Sequence, residues 1–385
     1  MNRTLHNWRR GYTVKELIAS VVVLLVLGGL FLPYLDVGRE ESRQSQCLNN
    51  LRQLGLACYN YEATYKQLPT GGMEIDLETL KERIAAGQPP REIIGRQSTF
   101  SVIYGFTYGG FAVYNYDWRY AYNDRSLPQS IVSPPIKNET WNSYQAKEKW
   151  EEFRCPSNPF IKVVDPAGYG FTDYMPTTYT DIDDAPNKDG IIGLRNRATT
   201  AAGCLSVDGT PLHAIADGTA MTIMIAECAG RLPESGPPHM CGEFGDPLCT
   251  PEHGENDACT QTGRRAFWRW AEPTCAGGVS GQRNFQSGGK DIGFINGNKT
   301  PKFGGTTSEL SGVSCLAPPK EGTTNQCIWT WTNCGPNDEI FGWHKGGANV
   351  VMADGAVKMI QLNIRPDILR FLVTRAEADW PPAAH

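Results

Sequence analysis

The chain has 385 residues, enough for a sizeable core, with 40% hydrophobic and 20% charged residues and a net charge of -5. That balance describes ordinary globular material and, with no basic excess, excludes nucleic acid as a partner. Twelve cysteines run from Cys47 to Cys334 without one C-x-x-C pair, which excludes zinc ribbons and points to disulfides in an oxidising compartment.

The first predicted element is a long helix. Leu17 to Leu35 are 19 successive residues without a formal charge, roughly 28 Å of helix and about the thickness of a bilayer's hydrocarbon core. No small-x-small cleavage site follows, so the run reads as a retained single-pass transmembrane helix, not a cleaved secretory signal. Arg3, Arg9 and Arg10 precede it, whereas Asp36, Arg39, Glu40, Glu41 and Arg43 after it sum to -1. The positive flank marks the inner side, so the N-terminus is expected in the cytoplasm, the span in the cytoplasmic (inner) membrane, and the rest in the periplasm or extracytoplasmic space.

Beyond Pro33, Leu48, Leu51, Leu54, Cys58, Tyr61, Tyr65 and Leu68 recur at spacings of three and four, one apolar stripe on an amphipathic helix. A single helix over 12–68 is therefore expected, transmembrane over 17–35 and amphipathic over 36–68. Pro33 should bend it, Pro69 and Gly71-Gly72 should end it, and the stripe should pack against a globular head. Cys47 and Cys58, eleven residues apart on that helix, would lie about 16 Å apart and cannot bond each other.

The head, residues 69–385, is expected to be α+β. A short helix over Leu77–Ala86 leads to aromatic-rich strands between Thr99 and Tyr122, then a helix over Trp141–Phe153. Ala214 to Glu227 reads as a turn and a buried strand. Residues 231–337 are rich in glycine, proline and cysteine and read as a loop-rich, disulfide-stapled insertion. Asn349–Ala353 and Ala356–Ile360 flank Asp354-Gly355, a hairpin with an expected type I′ turn. A helix over Pro366–Ala378 closes the head.

Catalytic motifs are missing: no G-x-S-x-G, H-E-x-x-H or phosphate loop occurs, so no enzyme is expected. The acidic loop carries Asp181, Asp183, Asp184 and Asp189. These are the oxygen donors a calcium ion would use, but no register fits a calcium-binding hand and a solvated loop is the preferred reading; no other cofactor is expected. His344 invites a metal or catalytic role with Asp354, yet Asp354 is better explained by its turn, leaving His344 to bond the hairpin backbone. The pairs Trp268/Trp270 and Trp329/Trp331 alternate as on a strand face. They read as core, with a platform for sugar rings as the other possibility.

The stretch GYTVKE resembles the processing motif of type IV pilins and type II secretion pseudopilins: a basic leader, Gly11 before the cut, Tyr12 after it, and Glu16 as fifth residue of the mature chain. Pro33 falls where pilins similarly carry a kinking proline. The blocks SQCLNNLRQLGLACYNYEATYKQLP, FRCPSNP and IADGTAMTIMIAE, with His344, nine residues, then Asp354-Gly355, are similar to a large bacterial prepilin-like family of unknown function. The resemblance implies a leader over 1–11, cleavage after Gly11 and methylation of Tyr12 by a prepilin peptidase. It further implies assembly through Glu16 with other pilin or pseudopilin subunits. Glu16 sits at the edge of hydrocarbon, where a charge needs compensation, and the free amine of a neighbouring subunit's Tyr12 would supply it. Cys155 is the expected partner of Cys47. The alternative is a monomeric membrane-tethered binding module, with glycans as one ligand class and 231–337 as the recognition surface.

Overall fold

A computed structural model describes residues 13–86, 90–107, 116–123, 140–186, 192–194, 196–231, 266–281 and 340–377, with the side chains of 28 and 30–37 excepted. It is a mixed α+β structure built on antiparallel pairing. Helix α1 spans Val14–Tyr65 without a break in 52 residues. It starts at a reciprocal capping box: Thr13 Oγ1 accepts the Glu16 N–H, and Glu16 returns its carboxylate to the Thr13 N–H at 2.8 Å. It stops at Lys66, whose φ of 63° is left-handed and whose N–H caps Glu62, several residues before the expected Pro69 and Gly71 stop. Among the described residues no helix is long and apolar enough to cross a membrane. The expected span Leu17–Leu35 runs onto residues 28 and 30–35, whose side chains fall outside the described set.

Strands β1 (Met73–Ile75) and β2 (Glu92–Ile94) form a two-stranded antiparallel ribbon, with helix α2 (Leu80–Ala85) between them. Where aromatic strands were expected from Thr99, the chain instead begins with helix α3 (Thr99–Ile103) and a 3-10 turn over Tyr104–Phe106; residues 108–115 of that stretch lie outside the described set. Ser98 is the N-cap of α3, accepting the Ser101 N–H at 2.9 Å, and Phe100, Ile103 and Tyr104 meet the core at helical spacing. The helix expected over Trp141–Phe153 is also divided. Helix α4 (Trp141–Ala146) is short, and a 3-10 turn follows at Glu151–Phe153.

The main sheet joins β3 (Tyr174–Thr180), β4 (Ala201–Ala202), β5 (Ile223–Glu227), β6 (Gly277–Val279), β7 (Gly347–Met352) and β8 (Val357–Gln361). Its order is β4-β3-β5-β7-β8, antiparallel throughout, while β6 pairs parallel with β3. Every residue of β5 and β7 is buried, as a strand covered on both faces requires. On one face Val351 joins Leu51, Leu54 and Cys58 of α1. On the other, Val350 and Met352 meet Leu369, Leu372 and Val373 of the last helix, α5 (Pro366–Val373). The stripe is thus core for Leu51, Leu54 and Cys58, and for Leu68 just past the end of α1, whereas Tyr65 is 56% exposed. Gly55 lets helix and sheet touch, since a Cβ there would stand 2.8 Å from Val351 Cγ2.

The β7–β8 hairpin forms, but not with a type I′ turn. Only Gly355 has a positive φ, 82°, while Asp354 does not. Gly355 N–H donates to Met352 O and Met352 N–H to Ala356 O, a three-residue turn ending in a left-handed bulge glycine. Asp354 Oδ1 accepts the Ala356 N–H at 2.8 Å. Gly355→Ala is expected to cost about 1–2 kcal/mol, because a Cβ disfavours the left-handed region; denaturant unfolding of the variant measures it.

Residues 266–281 fall within the stretch read as an insertion, yet Ala266–Gly281 are buried and include Trp270 at the core centre. Residues 232–265 and 282–339 lie outside the described set.

Candidate functional site

The chemically dense part of the molecule is the junction between α1 and the head. Glu40 and Cys47 lie seven residues apart on α1, two turns and so one face. Cys47 is bonded to Cys155, a disulfide spanning 108 residues with the Cα atoms 5.2 Å apart. Both cysteines are fully buried. Cys155 is held in place by neighbours on two sides: its N–H donates to Asp173 Oδ2 at 2.9 Å, and Asn50 Nδ2 of α1 donates to Arg154 O at 2.8 Å. Asp173 is itself saturated, taking Arg154 Nε, Asn158 Nδ2 and the Gly230 N–H as well.

His344 enters this junction from the residue turn before β7. Its Nδ1 stands 3.1 Å from Glu40 Oε1, and its Nε2 lies 3.1 Å from Glu227 Oε1 and 3.6 Å from Cys155 Sγ. His344 therefore does not bond the hairpin backbone through its side chain, as the sequence suggested. It bridges α1, the disulfide and β5. The Asp354 carboxylate is committed to its own turn. Glu227 closes β5, fully buried, with Oε2 accepting the Asn349 N–H at 2.9 Å while Oε1 accepts no hydrogen bond. The 3.1 Å approach of His344 Nε2 is thus an ion-pair distance without hydrogen-bond alignment.

Burial raises the Glu227 pKa, partly offset by His344 and by the Asn349 N–H. For His344 burial works downward, but the Glu227 and Glu40 carboxylates outweigh it and the pKa is raised. Cys58 is a buried free thiol on the same helix, pushed up by burial and by Cys204; Cys204 itself is pushed up to about 12 by burial. Neither has thiolate character at neutral pH.

Of the other expected site residues, Gly11, Tyr12 and Asp189 lie outside the described residues, as does the Pro33 side chain. Glu16 is placed in the capping box. The aspartates do not converge: Asp181 accepts the Gly281 N–H, Asp183 accepts the Ala185 N–H and Asn196 Nδ2, and Asp184 is exposed. Trp268 and Trp270 are 5% and 0% exposed, so neither offers an open face to a sugar ring, and Trp329 and Trp331 lie outside the described residues. Glu40 and Glu227 were not singled out from sequence. The one available signal for Glu227 is a carboxylate ending an otherwise apolar strand, MTIMIAE.

The apolar first part of α1 stands in contrast. Val14, Leu17, Ile18, Val22, Leu24 and Leu25 are 52–73% exposed.

Over residues 37–367 the chain matches the model of a family described as protein of unknown function (DUF1559). The match covers the junction, Cys47, Cys155, His344, Asp354 and Gly355, and begins beyond Gly11, Tyr12 and Glu16. No curated protein and no solved structure matches the chain.

Proposed function

The chain belongs to the DUF1559 family of proteins of unknown function, and from that premise we propose that it is a pilin- or pseudopilin-like structural subunit. In this reading it is anchored in the cytoplasmic membrane by the first half of α1, processed by a prepilin peptidase after Gly11, and assembled through α1 with other subunits. The observation that carries it is the division of one continuous helix. Leu51, Leu54, Ala57 and Cys58 of α1 are core of the head, whereas the large apolar side chains from Val14 to Leu27 are 45–73% exposed. An exposed apolar helix rooted in a folded head needs lipid or neighbouring helices to cover it.

Glu16 separates assembly from local capping. Glu16→Gln retains a side-chain oxygen for the Thr13 cap but removes the charge, while Glu16→Ala removes both. Assembly through charge pairing with a neighbour's amine expects both variants to lose the crosslinked oligomers of the wild type in membranes. If Glu16 only caps α1, Glu16→Gln crosslinks as the wild type does and the assembly role is lost. The tethered binding module expects no crosslinked oligomer in the wild type and no change in either variant, because a monomer has no use for the charge.

A further inference from the structure

The four groups at the junction have donor atoms suited to a metal. Cys47, Cys155, Glu227 and His344 are all buried, and one ligand atom from each lies within 4.8 Å of all the others. In a tetrahedral zinc site, bonds of about 2.0–2.3 Å place neighbouring ligand atoms roughly 3.3–3.8 Å apart. His344 Nε2 is already 3.6 Å from Cys155 Sγ and 3.1 Å from Glu227 Oε1. The two sulfurs, joined to each other here, must part, and the remaining pairs, all within 4.8 Å, must settle to the tetrahedral separation.

We propose that reduction of the Cys47–Cys155 bond converts this cluster into a tetrahedral site for a zinc-class divalent cation. Its ligands are Cys47 Sγ, Cys155 Sγ, His344 Nε2 and Glu227 Oε1. Two features beyond the donor set point to a cation. Glu227 Oε1 is a fully buried carboxylate oxygen that receives no aligned hydrogen bond and has His344 Nε2 beside it at 3.1 Å; a cation held between these two atoms takes over the charge compensation the imidazole gives there. His344 Nδ1 faces Glu40 Oε1 at 3.1 Å, and Ser157 Oγ donates to the same oxygen at 2.6 Å. Glu40 thus accepts a hydrogen bond from Nδ1–H in the tautomer that leaves the Nε2 lone pair for a metal, the orienting role that carboxylates play behind metal-bound histidines.

The chemistry balances with a two-electron reductant. A phosphine attacks one sulfur, the S–S bond breaks, and the phosphine leaves as its oxide with oxygen from water while both sulfurs become thiols. Cation binding then displaces one proton from each thiol to solvent. The consequence is mechanical: α1 is clamped to the head by a covalent bond when oxidised and by a shared cation when reduced.

The test uses the full chain in detergent, with and without phosphine, dialysed against zinc and measured for bound metal. The other cysteines also bind zinc once reduced, so the readout is the difference from a Cys47→Ser/Cys155→Ser variant. The reduced wild type is expected to hold one more equivalent than this variant, while the oxidised wild type holds no excess. His344→Ala should lose that equivalent and His344→Cys, which restores a ligand, should regain it. Cobalt(II) in place of zinc should give a thiolate charge-transfer band that follows the same pattern, and Glu40→Gln should weaken binding about 10- to 100-fold. Equal uptake by the reduced wild type and the serine variant overturns the proposal. So does an unchanged equivalent in folded His344→Ala, with folding checked by circular dichroism.

Discussion

Replacing Cys47 and Cys155 by serine is expected to lower the unfolding free energy by roughly 4–5 kcal/mol, because the bond closes a loop of about a hundred residues. The bond removes conformational freedom from the unfolded chain, so the loss appears mainly as a lower denaturation midpoint. It also has a local consequence. Cys47 and Cys155 share a small buried cluster with Ala229, against which Trp343 packs, and the Trp343 indole donates to Ala229 O at 3.0 Å. Releasing the staple should therefore loosen the α1–head junction before the sheet unfolds. Denaturant titration followed by tryptophan fluorescence, with hydrogen exchange on residues 40–50, reads both effects. A double serine variant within 1 kcal/mol of the oxidised wild type would contradict this contribution of the bond to stability.

The second large effect lies at Asp165 and Arg269. Arg269 Nε donates to Asp165 Oδ2 at 2.9 Å, and the two side chains are 8% and 0% exposed. Asp165 also takes the Trp268 Nε1–H at 2.6 Å and the backbone N–H groups of Ala167 and Tyr169. Arg269 donates to Tyr122 and stacks over the Tyr169 ring at 4.4 Å. Deleting one partner leaves the other charge buried and unpaired, so Asp165→Ala and Arg269→Ala are each expected to cost about 3–5 kcal/mol. Deleting both should cost clearly less than the sum, the mark of a coupled pair. Together with the Phe171–Arg269 bridge and the Thr172 N–H donated to Trp268 O, this pair fastens residues 266–281 to the head. Equilibrium unfolding of the two single variants and the double variant gives the coupling, and strict additivity would assign the losses to packing alone.

Much of the framework was legible because it depends on local periodicity. The Leu51, Leu54, Cys58 spacing, the apolar run of β5 and the two runs around Asp354-Gly355 each carry their own element within a dozen residues. The misreadings have local causes as well. Thr99–Phe106 is rich in aromatic and β-branched residues, which suggests a strand, but the Ser98 cap and the Phe100, Ile103, Tyr104 spacing make a helix that the core accepts. Asp-Gly suggested a type I′ turn, yet Asp354 keeps a negative φ and the bulge at Gly355 closes the hairpin. The junction was legible only in part. Cys47 with Cys155 could be expected, but Glu40 meets His344 across 304 residues of sequence, and no local pattern records such a contact.

The central claim, a subunit matured by leader removal and used through its N-terminal helix, is tested most directly by the intact mass of the protein extracted from membranes. The account predicts a chain beginning at Tyr12 with one added methyl group, and a Gly11→Ala variant that keeps residues 1–11. A wild-type protein that still carries those residues, with the same mass offset in Gly11→Ala, would contradict it.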